Sequence, residues 1–132
     1  MIVPYTELPH EAGGLPRPVL DLAIGDMDEL LVPCLVDSGA VHTLLPSWVS
    51  EAGAIDLEGG RSTRLGVGGA STAATFTTVR LAAGRHAWEA EVAFCHPWPY
   101  AWGLLGQTSF FRFFTVTFRA VDFEMEVEPI PN

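Results

Sequence analysis

The sequence contains no lysine, only two cysteines and no long apolar run, and each absence argues against a class of protein. Its 132 residues include 16 acidic side chains against 7 basic ones, all arginine, so the formal net charge is −9 at pH 7. A surface of this sign repels a phosphate backbone, which argues against nucleic-acid binding, and solubility explains the charge most simply. The longest apolar run, residues 30–36, is far shorter than the roughly 20 residues of a membrane-spanning helix, so we expect no membrane association.

The cysteines Cys34 and Cys95 do not form a metal-binding or secretory pattern. A secretion signal has a basic region followed by an apolar stretch, whereas the first residues of this sequence contain prolines and acidic residues. We therefore expect a cytoplasmic protein with free thiols. Cys95 and His96 are adjacent, which is not a chelating spacing, and the remaining histidines are scattered. No metal and no organic cofactor is predicted.

The distribution of apolar and turn-forming residues predicts a single all-β domain over residues 1–132. An apolar fraction of 48% with 17% charged residues suits a folded chain. The prolines of residues 1–18 predict an extended N-terminal arm or edge strand, because proline cannot donate to a sheet. Further on, alternating apolar and polar residues predict strands, together with one or two short helices. The predicted strands are residues 19–24, 30–37, 61–67, 72–82 and 86–94 and a hairpin over 115–128, with a turn at 25–28, helices at 46–52 and 110–114, and a loop at 95–102.

One short segment, CLVDSGA at residues 34–40, carries most of the chemical information. An aspartate that ends an apolar strand loses part of its hydration, so its charged form needs hydrogen bonds from the protein. The amides of the following turn and the Ser38 hydroxyl can supply them, and Gly39 lets the backbone bend tightly. Asp37 is therefore a candidate catalytic carboxylate, although Asp, Ser and Gly also favour ordinary turns.

Three segments, in this order, resemble the retropepsin-like aspartic proteases. LVDSGA at residues 35–40 is similar to the family's active-site signature, an apolar pair followed by Asp-Thr/Ser-Gly-Ala. GVGG at residues 66–69 lies where the family has its glycine-rich flap tip. LLG at residues 104–106 is similar to its second apolar-apolar-Gly element. The resemblance extends over residues 19–128 and implies an acid-protease domain, a closed β-barrel-like fold with one or two short helices.

The resemblance also implies a homodimeric aspartic endopeptidase. Each family subunit contributes one aspartate, and two subunits pair about a two-fold axis to form one active site. Two carboxylates at close distance share one proton, so one takes a proton from the attacking water while the other donates to the peptide carbonyl. Asp37 would be this acid and base, Ser38 would bond across the dimer, and Gly39 would contact the substrate or the turn.

The substrate implied by the resemblance is a peptide or protein, bound as an extended strand between the flap and the paired aspartates. Residues 66–69 would form a mobile flap over the peptide, in which Val67, Gly68 and Gly69 contact the substrate. Ala40 and Leu105 would also contact it. Few charged residues lie near the three segments, so mainly apolar side-chain pockets are expected.

One feature departs from the family's pattern. Members often have an arginine or a related polar residue directly after the second glycine, and in retroviral members that arginine pairs with an acidic residue four positions after the catalytic aspartate. This chain has Gln107 and Val41 at these positions. Because both halves of the ion pair are replaced, no charge is left without its partner. Dimer geometry and peptide recognition are nevertheless expected to differ from those of the retroviral enzymes.

Alternatives from other functional classes stay open on the sequence. A non-catalytic peptide-binding or dimerisation module on the same fold would bind peptides without cutting them, and a structural β-domain would be a monomer. A nucleophilic Ser38 is disfavoured, because the Gly-x-Ser-x-Gly elbow is absent. His42 is a surface or satisfied histidine or a pH sensor. The aromatic residues Trp98, Tyr100 and Trp102 cover the barrel end or line a substrate pocket.

Overall fold

The fold is built mainly from strands, with one α-helix and two single-turn helices among the described residues. The structure, a computed structural model, describes residues 1–10, 13–26 and 30–131. No helix in these ranges is long and apolar enough to cross a membrane. The elements are β1 (Ile2–Pro4), β2 (Val19–Ile24), β3 (Leu31–Val36), β4 (Leu44–Pro46), α1 (Ser47–Ala52), β5 (Arg61–Val67), β6 (Ala70–Ala83), β7 (His86–His96), β8 (Gly103–Leu105), a π-helical turn (Gln107–Phe111), β9 (Phe114–Arg119), a 3₁₀ turn (Ala120–Asp122) and β10 (Glu124–Pro129).

Six strands close into a barrel in the order β2-β3-β8-β4-β7-β6, and β6 also pairs with β2. Closure of this kind leaves no free edge among these six strands. Strand β5 pairs with β6 alone and forms a long hairpin with it. The pairs β3–β8 and β4–β7 are parallel, and the other pairs of the barrel are antiparallel. The predicted all-β closed barrel with one or two short helices is confirmed.

Alternating side chains fill the barrel core and hold β3 in place. Val32, Cys34 and Val36 are buried, while the intervening Pro33 and Leu35 are only partly covered. This alternation follows from the two-residue repeat of a strand. Each fully buried aliphatic side chain contributes about 1.5–3 kcal/mol. The strand that leads to Asp37 is therefore firmly fixed.

The long strand β6 buries opposite faces at its two ends. Its first half buries even-numbered positions in a small cluster with β4 and β7 residues, and its second half buries odd-numbered positions in the main core. Ala74 and Phe76 represent the first half, and Val79 and Leu81 the second. The strand predicted at 72–82 is therefore confirmed. Its odd-numbered side chains point into the main core only from Val79 onward, and before that the even-numbered ones are buried.

A second sheet, in the order β1-β10-β9, brings the two end regions of the chain together. The β9–β10 pair confirms the predicted final hairpin. Strand β1 lies at the edge of this sheet and contains Pro4. An edge position suits proline, because proline has no N–H to donate to a neighbouring strand. The segment 1–18 is not extended throughout, because Thr6 and Arg17 form an antiparallel bridge and the segment turns back on itself.

Several boundaries differ from those predicted. The helix predicted at 110–114 is a π-helical turn at Gln107–Phe111, because Phe114 already belongs to β9. The loop predicted from residue 95 begins two residues later, since β7 continues to His96. The short strands β4 and β8 were not predicted. The helix predicted at 46–52 is confirmed as α1. Part of the turn predicted at 25–28 lies outside the described residues, and Gly25 and Asp26 within it do form a turn.

Candidate active site

Asp37 follows directly on β3, at the point where the barrel strand ends. Its backbone N–H donates to the Leu105 carbonyl oxygen at 3.0 Å, which continues the β3–β8 ladder by one residue. The next residues leave the sheet as a turn, closed by the Ala40 N–H donating to the Asp37 carbonyl oxygen at 3.1 Å. The Asp37 side chain is half-buried. It is therefore held by a rigid strand on one side and a tight turn on the other.

The turn supplies a hydrogen bond to the Asp37 carboxylate. The Gly39 N–H donates to Asp37 Oδ1 at 2.9 Å, which satisfies the requirement that the sequence posed for a carboxylate at a strand end. A Cβ atom at Gly39 would lie 3.3 Å from the same oxygen. Since that is tighter than ordinary van der Waals contact, glycine leaves the carboxylate more room than any other residue would.

The segment after β8 crosses the Asp37 turn at very short range. A Cβ atom at Gly106 would lie 2.6 Å from the His42 carbonyl carbon and 2.8 Å from the Ala40 carbonyl oxygen. Because Gly106 has no side chain, the two segments come close enough for the Gln107 N–H to donate to the Ala40 carbonyl at 2.9 Å. The Thr108 N–H donates to the residue 41 carbonyl at 3.0 Å. The glycine of the LLG segment is therefore required by a close backbone approach.

Two buried hydroxyls join these segments from inside the barrel. The Gly106 N–H donates to Thr43 Oγ1 at 3.1 Å, and the Ser109 hydroxyl bonds to the same oxygen. Both hydroxyl residues are completely buried. Buried hydroxyls are costly unless they are hydrogen-bonded. This pair therefore stabilises the contact between the loop after Asp37 and the π-helical turn.

The β5–β6 hairpin carries the glycine-rich tip that the sequence indicated. Val67 pairs with Ala70, so Gly68 and Gly69 form a two-residue loop. Their φ angles are +56° and +81°. Positive φ at both central positions is typical of a type I′ turn, which matches the twist of a hairpin and strongly favours glycine.

An open groove of about 560 Å³ lies between the Asp37 turn and this hairpin. Most of the residues that line the groove are glycine or have apolar side chains. Asp37 contributes an acidic group to the lining, and His42 contributes an imidazole. The lining residues are Asp37, Gly39, Ala40, Val41, His42, Leu44, Leu65, Gly66, Val67, Gly68 and Leu104. The groove therefore has a strand end on one wall and a hairpin on the other.

Most, but not all, of the site residues singled out in the sequence line this groove. Asp37, Gly39 and Ala40 lie on one side of it, and Val67 and Gly68 lie on the hairpin side. The exposed Ser38 and Gly69 lie outside the lining.

Leu105, which was predicted to contact the substrate, does not line the groove, and this prediction is corrected. It is fully buried in the core, and its neighbour Leu104 lines the groove instead. Successive strand residues point to opposite faces, and Leu105 is paired with the inward-facing Val36. Leu104, and not Leu105, is therefore the leucine that the groove exposes.

Sequence reasoning missed Thr43 as a structural contact, and nothing in the sequence links Thr43 to Ser109. It noted Gln107 only as a departure from the family pattern. The structure gives the Gln107 side chain a partner, since Nε2 donates to the Ser38 carbonyl oxygen at 2.6 Å.

The aromatic loop beside the hairpin has two parts. Trp102 is buried and packs with Leu8 and Val19 over the outside of the barrel. Tyr100 stacks on Trp102 with ring centroids 4.4 Å apart, and the Trp98 indole N–H donates to the Trp102 carbonyl at 2.9 Å. Trp98 and Tyr100 also line a smaller cavity of about 250 Å³ against the tip end of the hairpin, where Val67 and Ala70 flank the glycine loop. The loop therefore packs over the barrel through Trp102, and whether its cavity binds substrate stays a prediction.

The remaining polar candidates near the groove have simpler roles. His42 is half-buried, and its ring packs edge-on against Phe76 with centroids 5.0 Å apart. Cys34 and Cys95 are buried free thiols. Burial raises the pKa of Cys34 to about 12 and that of Cys95 to about 11, so both are neutral and poor nucleophiles at ordinary pH. Among the described residues, no cluster of histidine, cysteine and carboxylate side chains could hold a metal ion.

Comparison with known proteins gives a likeness of fold. No protein-family model and no curated protein matches the sequence. Among solved structures, a retropepsin-like aspartic protease from Rickettsia conorii is similar with a TM-score of 0.60 at 15% identity, over 95% of this chain and 86% of that one. EIAV protease complexed with the inhibitor HBY-793 is similar with a TM-score of 0.55 at 19% identity, over 74% of this chain and 88% of that one.

Proposed function

We propose that this chain, which has the retropepsin-like fold, is one subunit of a homodimeric aspartic endopeptidase. The position of Asp37 carries the proposal. Its carboxylate lies at the end of a barrel strand, half-buried, and lines an open groove beneath a glycine-tipped hairpin. Capping of its own turn would explain the hydrogen bond from Gly39 but not the open groove beside the carboxylate. Among the described residues, the hydrogen bond from Gly39 engages Oδ1 and none engages Oδ2, so the second oxygen can contact a water molecule.

Catalysis by this mechanism requires a second copy of the chain. The sequence has one Asp-Ser-Gly segment, and a single carboxylate cannot act as general base and general acid at the same time. Two Asp37 carboxylates about a two-fold axis share one proton. The ionised one takes a proton from the attacking water, and the protonated one donates to the peptide carbonyl, giving a tetrahedral intermediate.

The Ser38 hydroxyl suits a role between the two subunits. Its side chain is exposed, and within the part of the chain that the structure describes its hydroxyl makes no hydrogen bond. It is therefore available to bond across the two-fold axis and fix the two turns against each other.

The substrate is an extended peptide with mainly apolar side chains. Leu44, Leu65, Val67 and Leu104 supply the apolar lining of the groove, and an extended chain can bond to the turn and to the hairpin through its main chain. The Gly68–Gly69 tip is the segment that closes over the bound peptide and excludes water.

The test compares wild type with Asp37→Asn on a diverse peptide library, read by mass spectrometry from acidic to neutral pH. Asp21→Asn is the matched control, because Asp21 is an exposed strand residue outside the groove. Sedimentation establishes the dimer concentration range for all three proteins. We expect Asp37→Asn to lower cleavage by at least about 10²–10⁴-fold, the contribution of a general acid–base group, while Asp21→Asn cleaves like wild type.

Each other outcome has a defined meaning. Cleavage that persists in Asp37→Asn places the activity at another site or in a contaminant. A dimer that binds peptides but cuts none at any pH is the non-catalytic peptide-binding module. A chain that stays monomeric cannot build the paired site, and a structural β-domain is then the better description.

A further inference from the structure

The side chain of Gln107 is bonded to the peptide unit that faces the Asp37 carboxylate. Its Nε2 donates to the Ser38 carbonyl oxygen at 2.6 Å. At the other end of the same peptide unit, the Gly39 N–H donates to Asp37 Oδ1 at 2.9 Å. Because the atoms of a peptide unit are coplanar, a group that holds the carbonyl oxygen also orients the N–H.

We propose that Gln107 is a positioning residue for Asp37, acting through the Ser38–Gly39 peptide. A hydrogen bond accepted by a carbonyl polarises the peptide and makes its N–H a stronger donor. Two bonds in series therefore lead from the Gln107 amide to the carboxylate, and together they fix the carboxylate's rotation and favour its charged form. This inference rests on the proposed role of Asp37 as the catalytic acid and base.

The backbone around Gln107 is fixed independently of its side chain. The Gln107 and Thr108 N–H groups donate to the carbonyls of Ala40 and Val41, and the Gly106 N–H donates to Thr43 Oγ1. Since these bonds use main-chain donors, replacing the Gln107 side chain removes the bond to Ser38 and leaves the others in place. The side chain is also exposed, so the fold does not depend on burying it.

A neutral amide suits what surrounds position 107 in this chain. Val41, at the position where retroviral relatives have an acidic residue, is 60% exposed and offers no charge. The acceptor for residue 107 is the Ser38 carbonyl, which needs a donor and not a cation. The contact is therefore a tether to the catalytic turn and not a replacement for an ion pair.

The test uses three variants of the full chain. Gln107→Met has nearly the same shape but no donor, and Gln107→Arg restores a donor. Thr108→Ala is the matched control, since Thr108 is the next exposed residue of the same turn and lies outside the groove. Steady-state kinetics on a cleaved peptide give kcat, KM and the pH–rate profile, and sedimentation and thermal unfolding check dimer and fold.

For Gln107→Met we expect kcat to fall about 10-fold or more, since a single donor at an active site contributes on this scale or above, with KM nearly unchanged. The acidic limb of the pH–rate profile should move to higher pH, because the charged carboxylate has lost support. Gln107→Arg should recover most of kcat, and Thr108→Ala should match wild type. If Gln107→Met has the kcat and pH–rate profile of wild type, the inference is overturned.

A readout independent of activity separates this inference from the proposed function. In ¹H–¹⁵N spectra the Gly39 amide proton should move upfield in Gln107→Met and stay in place in Thr108→Ala, because a weaker hydrogen bond shields the proton. Should wild type cut no peptide, the proposed function fails and this resonance decides the inference. An upfield shift then supports the tether, and an unchanged resonance overturns it.

Discussion

Gly106→Ala tests whether a close backbone approach holds the candidate active site together. The new Cβ would lie 2.6 Å from the His42 carbonyl carbon and 2.8 Å from the Ala40 carbonyl oxygen, so one of the two segments has to move. Overpacking of this kind costs about 1–3 kcal/mol. Movement also strains the backbone bonds from Gln107 and Thr108, each with a net contribution of about 0.5–1.5 kcal/mol. We expect a loss of about 2–4 kcal/mol in the free energy of unfolding.

The assay is urea unfolding followed by tryptophan fluorescence, with Gly66→Ala as the matched control. Gly66 lies in β5, where a Cβ would meet nothing within 4 Å and φ is not positive. Gly66→Ala should therefore leave stability unchanged or raise it by up to about 1 kcal/mol. Because the clash lies at the Asp37 turn, Gly106→Ala should also lose cleavage activity under conditions where it is fully folded. Equal stability of the two variants would refute the idea that this contact requires glycine.

Two further predictions concern the thiols and the hairpin tip. The buried Cys34 and Cys95 have raised pKa values, so their contribution to stability is complete below about pH 9 and is lost at about 1.4 kcal/mol per thiol for each pH unit above it. Urea unfolding between pH 8 and 10.5 should show this slope, and Cys34→Ala should roughly halve it; an unchanged slope would contradict the assignment. Gly68→Ala, at φ +56°, should cost about 1 kcal/mol of stability through left-handed backbone strain. It should also lower kcat/KM relative to wild type, and wild-type kinetics in Gly68→Ala would argue against a closing flap.

Much of the fold could be predicted because its long strands carry clear alternation. Residues 86–94 show a two-residue repeat over their whole length, whereas residues 19–24 form a short apolar run that only Asp21 interrupts, and both are strands in the structure. Strands β4 and β8 have three residues each, too few for any periodicity to be seen. Their places are set by barrel closure, which pairs them with strands far away in the sequence.

The candidate site was predictable to the level of segments but not of individual side chains. The LLG segment was found, yet which leucine faces the groove depends on the register of β8 against β3, and a shift of one residue exchanges the two faces. The segment alone therefore predicts a substrate contact at Leu105, whereas Leu104 lines the groove. The buried hydrogen bond between Thr43 and Ser109 joins residues 66 positions apart, so no local sequence pattern predicts it.

The uncharged attachment of the Asp37 turn suits the chemistry proposed for it. A carboxylate pair acts as acid and base only while one of the two holds a proton, which places its work on the acidic side of neutrality. An arginine–carboxylate pair at positions 107 and 41 would weaken there as its carboxylate took up a proton, and salt would screen it where it is exposed. Gln107 and the main-chain donors beside it carry no charge that titrates in this range. The turn should therefore keep its geometry over the pH range in which the proposed aspartate pair would share its proton.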